Sequence, residues 1–336
     1  NKEFMPTVAD TTGLDETKYK VVRKNRFVYS GMQTGRDECI RISMYLQDKP
    51  IIVSPAYTTF EVTAQDIVLP EYFFMLFLSK EKDRLGWFYS DSSIRSNLDW
   101  DRFCEMELSL PPIDVQKKYV DIYLAMLANQ RAYEQGLGDL KLVCDAYIED
   151  LRRKMPSEEI GKYIKKCVEK NINGEITLEQ GINIEKKFIT PQRTNSNFYG
   201  RQIVRCGQIA YCTQLNNENV AIALRGGPDC IVSSVYDVID VLDTGILLSE
   251  YLMIWLTRKE FGRYVYWASQ GTSYEFLSFE NLSNYKIPIP PIEVQKSIAE
   301  LYKVYNQRKE INEKLKAQIK DICPILIKGS LQSATD

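Results

Sequence analysis

The chain repeats itself. Pro111-Pro112-Ile113-Asp114-Val115-Gln116-Lys117 returns 179 residues later as Pro290-Pro291-Ile292-Glu293-Val294-Gln295-Lys296. The same offset places Ser54 on Ser233, Tyr57 on Tyr236, Glu71-Tyr72 on Glu250-Tyr251 and Leu98 on Leu277; downstream, Tyr123 falls on Tyr302 and Cys144 on Cys323. Nearer the start the offset grows, so that Val22-Arg23 matches Val204-Arg205, Phe4 matches Phe188 and Pro6 matches Pro191. A repeat of this period means one structural unit used twice, and the fold must be read as such. The segment from about Ser157 to Asn183 has no counterpart before Asn1, and a natural start upstream of residue 1 accounts for this most simply.

Each copy reads as an α/β unit followed by one long helix. Val21–Tyr29, Cys39–Ser43, Ile51–Val53 and Tyr57–Val62 are rich in β-branched and aromatic residues and are expected as strands. Their partners are Ile203–Tyr211, Val220–Leu224, Cys230–Val232 and Tyr236–Val241. A helix is expected over Pro70–Lys80 and Ser249–Phe261, because Pro70 and Ser249 suit a helix start. Asp99 and Ser278 are expected to cap a short helix. A last strand, Glu107–Leu110 or Tyr285–Ile289, runs into the double proline, whose fixed φ sets a rigid exit into the helix.

Beyond Pro112, Tyr119, Tyr123, Met126, Gln130, Tyr133, Leu137, Leu140, Cys144, Tyr147 and Leu151 recur at alternating spacings of four and three. That is a heptad seam with Gln130 as its one polar member. The second copy is looser: Ile298, Leu301, Tyr302 and Tyr305, then Ile311, Leu315, Ile319, Ile322 and Leu326, interrupted by the polar stretch Asn306–Glu310. Gly136 and Gly138 weaken the first helix by ~1 kcal/mol each relative to Ala. The simplest partner for each helix is the other, antiparallel or crossed. The expected boundaries are 1–110 and 156–289 for the α/β domains, and 111–155 and 290–330 for the helices.

Catalysis finds little support. The chain contains no histidine, which removes Ser-His-Asp and Cys-His catalysis and histidine-ligated metals. Its eight cysteines form no C-x-x-C pair and read mostly as small buried residues of a reducing cytosol. No P-loop, G-x-G-x-x-G or G-x-S-x-G is present. The double prolines lack the polar residue before and the aromatic after that an adenine methyltransferase loop would carry. No apolar run approaches the ~20 residues of a membrane helix. The formal charge of −2 means that a nucleic-acid partner would need a local basic surface.

Polar residues of the type that read base edges and phosphates gather in loops. In the first copy they include Arg36 and the run Ser92, Ser93, Arg95 and Asn97. In the second they are Gln192, Arg193, Asn195 and Asn197, then Gln214 and Asn216, then Gln270, Thr272, Ser273 and Tyr274. The bland alternative is a solvated loop. These loops are also where the copies diverge most, as expected of one scaffold carrying two specificities. The aromatic stretches Trp87-Phe88-Tyr89 and Tyr264-Val265-Tyr266-Trp267 are expected to anchor the last loop of each copy to the core.

The layout resembles the specificity subunit of type I restriction–modification systems, the HsdS family. Leu110-Pro111-Pro112-Ile113-Asp114-Val115-Gln116 and Ile289-Pro290-Pro291-Ile292-Glu293-Val294-Gln295 are similar to that family's Pro-Pro-hydrophobic-x-x-Gln opening of each spacer helix. Ile52-Val53-Ser54-Pro55-Ala56-Tyr57 and Ile231-Val232-Ser233-Ser234-Val235-Tyr236 resemble its strand before a Ser-x-x-Tyr. The resemblance covers nearly the whole chain. It implies two tandem α/β target-recognition domains separated by two long antiparallel spacer helices in a pseudo-twofold repeat. It further implies a non-catalytic, cytoplasmic subunit that binds a bipartite double-stranded DNA target. Such a subunit carries two methyltransferase subunits and joins restriction/translocase subunits, with no cofactor in this chain and no membrane partner. The off-seam charges Arg131, Glu134, Lys141, Glu149, Arg308, Lys309 and Glu313 are the expected contacts to the methyltransferase subunits. Two other classes stay open: an orphan specificity subunit with a modification-only or regulatory role, and a structural coiled-coil dimeriser. A salt-dependent DNA shift assay separates the dimeriser from the rest.

A spacer of about 38 residues spans roughly 57 Å at the α-helical rise. Inserting one heptad within Gln130–Asp139 should lengthen the unspecified gap of the target, as read from the positions of methylated adenines. Sites of unchanged spacing would remove the helices from any role as a ruler.

Overall fold

The computed structural model describes residues 2–5, 7, 13, 15–192, 197–215, 219–269 and 276–333. The chain divides into two compact units: Asn1–Gln135 with Glu310–Asp336, and Gly136–Lys309.

The first unit opens with β1 (Lys20–Val22), β2 (Phe27–Ser30), β3 (Arg41–Met44), β4 (Ile51–Val53) and β5 (Thr58–Phe60). Helices α1 (Pro70–Leu76), α2 (Lys80–Tyr89) and α3 (Trp100–Cys104) follow, then the first half of α4 (Ile113–Lys154). All strand pairs are antiparallel: β1 lies on β4, and a second sheet has the order β3-β2-β5. The single strand expected over Val21–Tyr29 is therefore two. Asn25 turns the chain at φ 62, and the halves enter different sheets. Phe27, Tyr29, Ile42 and Met44 from the sheet meet Tyr72, Met75, Phe77, Leu98 and Phe103. Val120 and Tyr123 of α4 close this core together with Ile319, Cys323 and Leu326.

The second unit contains β6 (Ser157–Glu159), β7 (Ile164–Cys167), β8 (Gly181–Ile182), β9 (Phe188–Ile189), β10 (Gln202–Val204), β11 (Ile209–Cys212), β12 (Ile222–Leu224), β13 (Cys230–Val232) and β14 (Tyr236–Val241). It continues through α5 (Ser249–Leu256), α6 (Lys259–Ala268), α7 (Phe279–Ser283), β15 (Lys286–Pro288) and the start of α8 (Ile292–Gln332). The repeat is visible in the pairing: β10 lies on β13 as β1 lies on β4, and β12-β11-β14 reproduces β3-β2-β5. Ile203–Tyr211 again divides in two, at Gly207 with φ 90. The segment without a counterpart adds β7 to the edge of β14 and β6 to β15. That explains a missed expectation. Glu107–Leu110 occupies the place of β15 but forms no strand among the described residues, where no counterpart of β6 pairs with it.

Where one helix was expected in each copy, two form. The expected Pro70–Lys80 ends at Leu76, and α2 starts afresh with the Ser79 hydroxyl accepting from Lys82 N at 3.3 Å. Ser249–Phe261 divides likewise into α5 and α6. A lysine takes up the carbonyls freed at each break, since a helix end leaves its last acceptors unmatched. Lys186 Nζ donates to Leu256 O and Thr257 O at 3.3 and 3.0 Å, and burial pushes its amine down to about 8. Lys2, in the same position of the repeat, donates to Phe77 O and pairs with Asp83 at 2.5 Å. The short helices follow expectation: Asp99 accepts from Arg102 N and Ser278 from Asn281 N.

α4 and α8 are continuous over 42 and 41 residues. Within the first unit they run antiparallel, since Tyr119 meets Ser333 and Gln130 meets Asn312. The seam differs from the heptad reading at two places. Tyr147 is 43% exposed while Ile148 is buried, and Ile311 is 45% exposed while Asn312 is buried. Asn312 is inside because Gln130 Nε2 donates to its Oδ1 at 3.1 Å, and a buried amide is tolerated when hydrogen-bonded.

Each long helix is tied to its unit by a fully buried glutamine. Gln116 Nε2 donates to Ile67 O and Pro111 O at 2.9 and 2.8 Å, and its Oε1 accepts from Leu69 N at 3.0 Å. Gln295 repeats all three bonds, to Ile246 O at 2.7 Å, Pro290 O at 2.8 Å and Leu248 N at 3.0 Å. Replacing Gln295 with Leu strands three backbone groups, and an unsatisfied buried group costs about 1–3 kcal/mol. Gln295→Leu should lower the stability of the second unit by about 2–4 kcal/mol in a denaturant melt. A loss within 0.5 kcal/mol would leave the bonds without that role.

Candidate nucleic-acid interface

In both units the loop after the central strand is bonded to the loop after the second helix. Leu98 N donates to Gly31 O at 2.8 Å, and Leu277 N donates to Thr213 O at 2.8 Å. In the first unit three more bonds close the junction. Tyr29 OH donates to Leu98 O at 2.6 Å, Gly35 N to Ser96 O at 2.9 Å, and Gln33 N to Asn97 Oδ1 at 3.0 Å. The approach is close enough that a Cβ on Gly31 would lie 1.7 Å from Leu98 O, so glycine is required there.

Asp91 organises the first-unit loop. Its Oδ1 accepts from Ser93 N at 3.1 Å, Ser93 Oγ at 2.6 Å and Asn97 N at 3.0 Å. The Ser93 hydroxyl, first among these donors, holds the carboxyl below its usual range. Ser93 and Asn97, both candidates from sequence, are thus spent on building the loop. Ser92 and Arg95 stand exposed, and Ile94 between them is 100% exposed. Arg36 is exposed on the facing loop, yet its guanidinium is oriented: Nη2 donates to Gln33 Oε1 at 2.8 Å and Nε to Asp37 Oδ1 at 3.0 Å. The structure therefore brings Arg36, Ser92, Ser93, Arg95 and Asn97 together on two joined loops. Asp91 and Gln33 lie in the expected polar loops but were not among the expected site residues; an Asp two residues before a Ser, as in Asp91-Ser92-Ser93, is the turn signal that could have singled out the first.

In the second unit Gln214 is exposed and bridges Phe276 across the corresponding junction. Asn216, Gln270, Thr272, Ser273 and Tyr274 lie outside the described residues, as do Arg193 and Asn195. Gln192 and Asn197 are exposed. Asn197 Oδ1 accepts from Tyr199 N at 3.1 Å, and the chain beside it hangs on buried Asn171, whose Nδ2 donates to Ile176 O and Phe198 O at 2.8 and 3.0 Å. The anchorage of that segment is thus separate from the junction at Gln214.

The aromatic stretches anchor only in part: Tyr89, Tyr264 and Val265 pack against the cores, and Tyr264 OH donates to Asn281 O at 2.8 Å, but the other members face outward. Trp87 and Phe88 are 52% and 82% exposed, and Tyr266 and Trp267 are 38% and 72% exposed. They belong to the ends of α2 and α6, whose inner faces are filled by Gly86 and by Phe261, Gly262 and Val265.

The off-seam charges divide in two. Glu134 accepts from Lys316 Nζ at 2.6 Å, which holds its carboxyl below the usual range, and Glu149 meets Arg258 Nη2 at 2.7 Å. Both tie a long helix to its own unit. Lys141 pairs with Asp145, and Glu313 lies 3.9 Å from Lys316. Arg131, Arg308 and Lys309 are exposed. Among the described residues no group of His, Cys, Asp and Glu could hold a metal ion, and no helix is long and apolar enough to cross a membrane.

The S subunit of a type I restriction–modification system from M. genitalium shares this fold, with a TM-score of 0.56 and 13% identity over 94% of this chain and 84% of that one. The HsdS subunit from Thermoanaerobacter tengcongensis superposes with a TM-score of 0.43 and 15% identity over 94% of this chain and 82% of that one. No curated protein sequence matches. The family model for the type I restriction modification DNA specificity domain matches residues 154–321, half of the chain, and the repeat carries the same framework into the first unit. The chain belongs to the type I restriction–modification DNA specificity family.

Proposed function

We propose that this chain is the DNA-sequence-recognition subunit of a type I restriction–modification enzyme, each unit reading one half of a bipartite duplex target. The observation that carries this reading is the junction of two loops, closed by the same backbone bond in both units and carrying different side chains in each. A retained frame with changed tips suits two half-sites of different sequence. Exposed Arg95 suits a bidentate contact to guanine or to a phosphate pair, and Gln270 suits adenine. The subunit performs no chemistry and binds no cofactor; two methyltransferase subunits and the restriction/translocase subunits supply both, in the cytoplasm. The methyltransferase subunits dock on the exposed charges of α4 and α8, chiefly Arg131, Arg308 and Lys309.

Arg95→Ala should relax or weaken recognition of one half-site and leave the other unchanged, since a base contact is worth ~1–3 kcal/mol of discrimination. The measurement is binding of the assembled complex to duplexes altered in one half at a time. Equal loss on every sequence, with a shallower salt dependence, would make Arg95 a phosphate contact; no effect would place the loop away from DNA.

Arg131→Ala, Arg308→Ala and Lys309→Ala combined should weaken co-purification of the methyltransferase subunit while thermal unfolding stays as in the parent. Undiminished complex formation would move the docking surface off the helices.

A further inference from the structure

α2 and α6 present the same exposed face. The sequence Lys80-Glu81-x-x-Arg84-x-x-Trp87-Phe88 returns at the 179-residue offset as Lys259-Glu260-x-x-Arg263-x-x-Tyr266-Trp267. Residues four, seven and eight apart share one side of a helix. Lys80, Arg84, Trp87 and Phe88 are all exposed, as are Lys259, Arg263, Tyr266 and Trp267. Phe88 and Trp267, 82% and 72% exposed at the same place in the two units, need a cause, because a scattered surface apolar residue would not recur with its neighbouring cations. Each face carries two cations against one carboxylate; Glu260 lies 3.5 Å from Arg263.

We propose that this face is a sequence-independent DNA contact, used once by each unit. The proposal rests on the DNA-recognition reading above. The loops that begin one and two residues beyond α2 and α6 differ between the units, whereas the Lys-Glu-x-x-Arg-x-x-aromatic-aromatic pattern is kept. What both units keep must meet something that both half-sites share, and the phosphate backbone is common to every duplex. Lys80 and Arg84, or Lys259 and Arg263, meet phosphates. The aromatic pair lies against sugars or wedges at a base step, as apolar side chains do when they enter the minor groove. In the first unit the face runs directly into the loop proposed to read bases, so a duplex on that loop would continue onto the helix. A surface of the methyltransferase subunit is the competing occupant, and the cations favour DNA.

The test uses the full chain assembled with its methyltransferase subunit, and duplexes with and without the target. Arg84→Ala with Arg263→Ala should weaken both duplexes by the same factor. The slope of log affinity against log salt should become shallower by about 2, since each phosphate contact contributes about 0.9. Arg84→Lys with Arg263→Lys should keep the slope. Phe88→Ala with Trp267→Ala should weaken both duplexes without changing it. Affinity and slope equal to the parent's would overturn the proposal, as would loss of the methyltransferase subunit from the complex with DNA binding by the remaining chain unaltered. A parent complex that binds DNA without preferring its target would instead count against the recognition reading, and the salt slope would still decide this one.

Discussion

A glutamine carboxamide, out of contact with water, fixes where each long helix starts. Gln116 and Gln295 sit one turn into α4 and α8, and each bonds to the carbonyl of the first proline and to both sides of the turn that precedes α1 or α5. Both carboxamide N–H groups and the carbonyl are satisfied, so burial carries little penalty and any shift of the helix breaks several bonds at once. The double proline sets the backbone into the helix, and the glutamine locks the helix to the α/β layer. Everything proposed for the loops presumes a frame held this firmly, because a side chain reads a base only if its scaffold does not yield.

Much of this frame was legible in the sequence, because duplication makes every weak signal appear twice. The positions of most strands, the capped helices at Asp99 and Ser278, and the long helices after each double proline follow from local chemistry, whereas the breaks at Asn25 and Gly207 and the pairing of the strands do not. The seam was misread at Tyr147 and at Ile311, where apolar residues were assigned inward. Asn312 takes the inner place because Gln130 waits for it, and a pair of amides 182 residues apart leaves no periodic trace. The α1–α2 and α5–α6 breaks were invisible because the lysines that satisfy them come from far along the chain. Glu107–Leu110 was read as a strand from its composition, whereas strand formation depends on a partner.

The candidate interface was half legible. Composition and divergence between the copies pointed, in the first unit, to two loops that the fold joins by hydrogen bonds. They did not tell builders from readers. Ser93 and Asn97 have the residue types of a reader but are spent on Asp91 and Gln33, while Ser92 and Arg95 are left outward. Likewise Glu134 and Glu149 look like free surface charges in a heptad diagram and prove to be ties within their own units. Only the three-dimensional partner distinguishes the roles.

The central claim is that two similar frames with different tips read two separate half-sites. Selection of bound duplexes from a random pool by the assembled complex tests it most directly. Two blocks of fixed sequence separated by a gap of constant length and free composition are expected. One contiguous block, or no enrichment over the starting pool, would contradict it.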